Sequence, residues 1–165
     1  MVSFEIAEQL GWSVPDVVVA PVGDGCTLGA IGKGFRELRE VGLTERLPRL
    51  LGAQAATVQP LAQSQRGEAS HDNDGPTRAA SVAVRTPRNA SRLLDELAAS
   101  QGSMQAVTDD AIEHAQRLLA SEAGVVCEFT SVATLAGLSQ LAEAESLAGQ
   151  TAVLVITGGR LDGDL

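Results

Sequence analysis

Val17-Val18-Val19-Ala20-Pro21-Val22 is a continuous apolar run of strand length. Such a run suits a strand covered on both faces of a parallel sheet. It ends in the polar turn Gly23-Asp24-Gly25-Cys26-Thr27, after which residues 27–41 carry helical spacing closed by Gly42. Gly29, Gly32 and Gly34 each lower the helix propensity of that stretch. Ahead of the run, Phe4, Ile6, Ala7 and Leu10 predict a helix over 3–10, with Gly11 as its stop.

Downstream, the pattern keeps alternating. It predicts strands at 50–55, 81–85, 104–107, 125–127 and 152–156. Helices are predicted from the Asn89 cap to about 99, from Thr108-Asp109-Asp110 onward, and over 131–147. Residues 63–76, rich in Ser, Gln, Gly, Asn and Asp, read as an exposed loop. Strands alternating with helices predict an α/β fold, a mostly parallel sheet flanked by helices.

Composition narrows the partners. At 165 residues the chain has room for one modest domain, and with three Phe, one Trp and no Tyr its core must be built from Ala, Val and Leu. A formal charge of −9 argues against nucleic acid and anionic membrane as main partners. No apolar run approaches the roughly 18 residues of a membrane span. Met1-Val2-Ser3-Phe4-Glu5 lacks the basic start of a secretory signal. Two distant cysteines, Cys26 and Cys127, are expected as free thiols of a cytoplasmic protein.

The strand–glycine turn–helix unit is where chemistry is expected first. Backbone N–H groups and a helix N-terminus converge on an anion in such a turn, most often a phosphate. Gly23 and Gly25 supply unusual backbone angles and close approach, and Thr27 adds a hydroxyl and an expected N-cap. The Gly23/Gly25/Gly29 spacing lacks the acid a dinucleotide site needs, because the next strand reads Leu50-Leu51-Gly52-Ala53-Gln54. Gly32-Lys33-Gly34 lacks the Ser or Thr of a nucleotide phosphate loop. From the residues alone, an anion loop and a plain strand-to-helix turn both stand.

Thr157-Gly158-Gly159 follows the last predicted strand, where ligands of parallel sheets collect. It reads either as a hydroxyl facing the same crevice as Gly23 to Thr27 or as a plain strand-end turn. His71, His114, Cys26 and Cys127 show no zinc-ligand spacing. The histidines read as surface residues, Cys127 as core, and Cys26 as a thiol within reach of a ligand.

Several stretches resemble threonine synthase, a pyridoxal-phosphate (PLP) enzyme of the tryptophan synthase β-like structural family. Ser3-Phe4-Glu5-Ile6-Ala7-Glu8-Gln9-Leu10-Gly11-Trp12 is similar to that family's helix before the phosphate loop. Pro21-Val22-Gly23-Asp24-Gly25-Cys26-Thr27 resembles the loop itself, and Lys33-Gly34-Phe35-Arg36-Glu37-Leu38 the helix after it. Arg46 to Ala55 resembles the next strand, and Glu128-Phe129-Thr130-Ser131-Val132-Ala133 an altered Glu-Pro-Ala-Ser-Ala-Ala segment. Val153 to Asp162 resembles the C-terminal strand and its Thr-Gly turn.

The resemblance runs in order through nearly the whole chain. It implies PLP as cofactor, with its phosphate on Gly23, Asp24, Gly25, Cys26 and Thr27 and its pyridine nitrogen facing Thr157. A neutral hydroxyl there would not hold that nitrogen protonated. The implied reaction turns O-phosphohomoserine and water into threonine and phosphate. Threonine dehydratase, cysteate synthase and a non-catalytic phosphate-binding module are the alternatives.

Phe129 departs from the family's Pro, and Arg160 from its small residue or His. The resemblance covers the C-terminal portion of the large domain and leaves the family's cofactor-bearing lysine upstream. Lys33, the only lysine here, matches the helix after the phosphate loop. The expectation is therefore one partial catalytic domain over 1–165, inactive alone and prone to self-association. It would be completed by a separately encoded N-terminal half or by a homo-oligomer. A truncated or decaying gene product is the remaining origin.

Overall fold

The computed structural model describes residues 1–69 and 75–159. Four strands, β1 (Val17–Pro21), β2 (Arg49–Ala55), β3 (Ser103–Val107) and β4 (Ala152–Leu154), form one sheet in the order β3-β2-β1-β4. Every pairing is parallel, with Val17 opposite both Arg49 and Ala152. Six helices surround it: α1 (Val2–Gln9), α2 (Cys26–Glu40), α3 (Pro60–Gln65), α4 (Ala90–Ala99), α5 (Asp109–Ala123) and α6 (Phe129–Ala144).

All five β1 residues are buried because both faces of the strand are covered. Side chains alternate across a strand, so Val18 and Ala20 pack with Leu28, Ile31, Phe35 and Leu38 of α2, and with Leu93 and Leu97 of α4. Val17 and Val19 turn to the other face, against Leu51 and Leu141. A second cluster joins Val107 and Ile112 to Val132, Ala133 and Ala136 of α6. The mostly parallel α/β sheet read from the alternating pattern is the architecture found.

Two of the three glycines of α2, Gly32 and Gly34, have a packing reason. A Cβ on Gly34 would collide with the Ser3 side chain of α1, and one on Gly32 would lie 2.8 Å from Leu50 and 2.9 Å from Glu96 of α4. The lost propensity is the condition for close packing of α2 on three neighbours.

Several boundaries differ from the sequence reading. The expected strand at 81–85 is a 3₁₀ turn at Ala80–Val82. That segment packs against Gly23, where a Cβ would lie 3.0 Å from Ser81 O, and joins no strand ladder among the described residues. The expected strand at 125–127 is absent; only Cys127 pairs, through an isolated antiparallel bridge to Gly159. α2 starts at Cys26, so Thr27 sits inside the first turn and Gly25 takes the N-cap. α6 starts at Phe129, not 131, and β4 stops at Leu154, although Val155 N–H still donates to Val19 O at 2.9 Å.

Within the predicted loop, 63–65 belong to α3, while 66–69 are exposed. Pro60 opens α3, and the buried Gln54 side chain accepts the Leu61 and Ala62 N–H groups at 3.0 and 3.1 Å. The Thr108 cap is as expected, its hydroxyl accepting from Ala111 N–H at 3.2 Å. His71 and Arg160 lie outside the described residues. No helix among the described residues is long and apolar enough to cross a membrane.

Candidate functional site

β1 and β4 are adjacent and parallel, so the turns that follow them meet at one end of the sheet. Between them lies a cleft of about 250 Å³. Gly23, Asp24, Gly25, Cys26, Thr27 and Thr157 all line it. The structure thus brings together every residue the sequence singled out for the cofactor.

Gly25 has φ +89°, a left-handed conformation that ends the turn and starts α2. Its carbonyl accepts the Gly29 N–H at 3.1 Å. No side chain caps this helix. The first amides of a helix have no intrahelical acceptor and carry the positive end of its dipole, and Cys26, Thr27 and Leu28 place them at the cleft. No basic side chain lines the cleft among the described residues. An anion entering this cleft would meet amides, a helix dipole and hydroxyls.

The Asp24 carboxylate faces α4. It accepts the Arg88 backbone N–H at 2.6 Å and the Asn89 side-chain amide at 3.1 Å. The Arg88 N–H, with further donors from Cys26 and Asn89, holds its carboxyl below the usual carboxylate range. Asn89 also donates to Cys26 Sγ at 2.8 Å. Asn89 is the residue before α4, but its side chain makes no cap there; it braces the glycine turn. A negative side chain is tolerable beside an anion site because its oxygens are already occupied by donors from the entry to α4.

Thr157 is held from the opposite side by α6. Ser131 Oγ lies 3.2 Å from Thr157 Oγ1 and accepts the Gly158 N–H at 2.9 Å. The Glu128 N–H donates to Gly158 O at 3.2 Å. Phe129 fits this entry to α6 by packing on the second core cluster, with the Arg78 guanidinium 4.1 Å over its ring.

Sequence reasoning did not find Ser81, Val82, Val84 or Thr130, which complete the cleft wall. The 3₁₀ segment reaches the site through Gly23, where a Cβ would stand 3.0 Å from both Ser81 O and the Val84 side chain. That contact is tertiary and leaves no local signal. Thr130 lay within a stretch already quoted for its resemblance and was legible there.

Lys33 pairs with Glu37 one helical turn on and does not line the cleft. Cys127 is buried, and burial, with the Glu128 charge beside it, pushes its thiol up. No metal-holding cluster of His, Cys, Asp and Glu occurs among the described residues.

The donor set fits a ligand with a phosphate at one end and a hydrogen-bonding ring atom at the other. Residues 1–158 match the family described as "Pyridoxal-phosphate dependent enzyme". The chain is 36% identical over 161 residues to a threonine synthase of Methanocaldococcus jannaschii, covering 96% of this chain and 40% of that one. It is 38% identical over 159 residues to a threonine synthase of Synechocystis, covering 96% of this chain and 40% of the relative. The chain therefore spans about 40% of the length of these curated relatives.

Among solved structures, a T.th. threonine deaminase superposes with a TM-score of 0.70 at 25% identity, over 97% of this chain and 56% of that one. A fungal L-serine ammonia-lyase from Rhizomucor miehei shares the fold, with a TM-score of 0.76 at 20% identity over 96% of this chain and 50% of that one. An uncapped helix start and a Thr-Gly turn in one cleft, with a match over nearly the whole sequence, lead to one conclusion: this chain belongs to the pyridoxal-phosphate-dependent enzyme family.

Proposed function

We propose that this chain is the cofactor-phosphate portion of a lyase of the threonine synthase type, acting on O-phosphohomoserine and water to give threonine and phosphate. The observation that carries this is the shared cleft of the α2 N-terminus and Thr157. Gly23 to Thr27 would hold the cofactor phosphate through backbone amides, and Thr157 would face the pyridine nitrogen. When bound, PLP supplies an electron sink for carbanion chemistry at the substrate amino acid. The chain's own contribution is to anchor one end of the cofactor, orient its ring and leave the ring nitrogen with a neutral partner.

Covalent attachment needs an amine, and Lys33 is committed elsewhere on α2. In this reading the chain is one partial domain, inactive alone, in the cytoplasm. A lysine-bearing N-terminal half or a second copy completes it. A dehydratase acting on a hydroxy amino acid is the second reading, favoured by the likeness to threonine deaminase. Cysteate synthase chemistry and a phosphate-binding module without catalysis use the same cleft.

The test has two arms. In the first, inorganic phosphate and PLP are titrated while the amides of residues 23–28 are followed by NMR. Shifts confined to that turn are expected, and their absence overturns the reading. In the second, the chain is mixed with the lysine-bearing portion of a threonine synthase. Phosphate release from O-phosphohomoserine is expected; ammonia release from threonine instead selects the dehydratase.

A further inference from the structure

Ser131 is completely buried, yet its hydroxyl is aimed at the turn that brings the Thr157 hydroxyl into the cleft. It stands in the first turn of α6, held there by its N–H to Glu128 O at 3.1 Å. Its oxygen already accepts the Gly158 N–H at 2.9 Å, which leaves its single proton to place. Two acceptors are within reach. Gly158 O is 3.5 Å away and already receives the Glu128 N–H, whereas Thr157 Oγ1 is 3.2 Å away. The nearer and less occupied acceptor is Thr157.

The geometry points to Ser131 as a positioning residue that donates to Thr157 and so commits the Thr157 proton to the cleft. This rests on the reading of Thr157 given above and extends it. A hydroxyl has one proton: when Thr157 accepts from Ser131, that proton stays free to be donated to a ring nitrogen, whereas a Thr157 that donated to Ser131 could meet the ring only as an acceptor. A donor requires an unprotonated nitrogen with its lone pair free. Reversing the Ser131–Thr157 bond would make Thr157 an acceptor and favour a protonated ring. Ser131 therefore biases the cleft, from beneath the surface, toward the unprotonated state of a pyridine ring. Two further charges face this turn from the start of α6: its uncapped N-terminus, whose positive dipole end at Glu128 acts in the same sense, and the Glu128 carboxylate, whose side chain packs beside Gly158 and acts against it.

The experiment compares two probes on the full chain: inorganic phosphate, and pyridoxal 5′-phosphate isotopically labelled at its ring nitrogen and read by NMR. Ser131→Ala is expected to leave phosphate affinity within about twofold and to weaken pyridoxal 5′-phosphate about three- to tenfold, the range for one hydrogen bond. The ring-nitrogen resonance should move toward that of the free ligand. In a Thr157→Val background, Ser131→Ala should have no further effect on the ratio of the two affinities.

Equal weakening of both probes, or additive effects of the two substitutions, overturns the assignment while leaving the phosphate site intact. Failure of inorganic phosphate to bind the unsubstituted chain overturns the phosphate-site reading and this inference with it. A measurement without substitution stands beside these: on the native chain the bound ring nitrogen should remain unprotonated at a pH where the free ligand is protonated. A protonated bound ring overturns the inference even if Ser131→Ala fails to fold.

Discussion

The Asp24 carboxylate accepts the Arg88 backbone N–H at 2.6 Å, tying the glycine turn to the entry of α4 across 64 residues of sequence. The Asn89 N–H donates back to the Asp24 carbonyl at 3.2 Å. The glycine turn is thus braced by a helix that contributes no residue to the cleft lining.

This brace sets a pH dependence. The Arg88 N–H, the largest influence, lowers the Asp24 pKa in the folded chain. A carboxyl whose folded value is depressed contributes stability above its unfolded pKa of about 4 and loses it as pH falls through the lower folded value. Asp24→Asn should therefore melt below the native chain at neutral pH, with the difference shrinking once pH falls below about 4. Thermal melts across that range check it. A difference independent of pH would show that the charge of Asp24 is irrelevant to the brace.

Gly25 and Gly29 give a paired comparison. At Gly25 an added Cβ would meet the Asn89 carbonyl oxygen at 3.3 Å in a left-handed backbone, whereas at Gly29 it would meet only Leu93 at ordinary contact distances of 3.7–3.8 Å. Gly25→Val should cost about 1–2 kcal/mol for the left-handed conformation and abolish loop-amide shifts with phosphate. Gly29→Ala should be neutral or stabilising, since it removes a helix glycine. Calorimetry and phosphate titration on both variants decide it. Equal behaviour would remove the conformational argument for the turn.

Lys33→Ala should leave the near-ultraviolet and visible spectrum of the chain with PLP unchanged. Its ammonium is paired with Glu37 on α2 and stands outside the cleft lining. A Schiff-base band present in the native chain and lost in Lys33→Ala, with the fold retained, would place this lysine at the cofactor after all.

Both sheet edges, β3 and β4, lack a strand partner among the described residues, and Trp12, Val41, Leu43 and Val126 are exposed. Uncovered edges and apolar patches promote association. The isolated chain should self-associate in sedimentation velocity runs as concentration rises, despite its charge of −9. A stable monomer at high concentration would mean that these surfaces need no cover.

The parallel sheet was legible because β1 is apolar throughout, and only a strand covered on both faces needs that. The segment at 81–85 failed for a related reason. Its apolar and small residues have the same short period whether they join a ladder or pack against a turn, and Gly23, which receives them, lies about sixty residues away. α3 carried a signal in Pro60, a favoured first helical residue, but its polar sequence hid it, and the buried Gln54 that caps it belongs to β2. The glycine turn and Thr157 were readable from spacing and resemblance. The roles of Asn89 and Ser131 were not, because a hydrogen bond between distant elements has no sequence period.

β1 and β4 lie side by side, and Asp16 accepts the Thr151 N–H at 2.8 Å across 135 residues. Ribosomes add roughly 5–20 residues per second, so β1 exists for many seconds with one flank of its ladder unpaired. The loop to be closed is long, and contacts of high sequence separation form slowly. The glycine turn is thus among the first parts of the cleft to be synthesised, and Thr157 is the last. In the nascent chain an apolar strand waits for its neighbour, and premature termination anywhere before β4 would leave that strand as a template for aggregation.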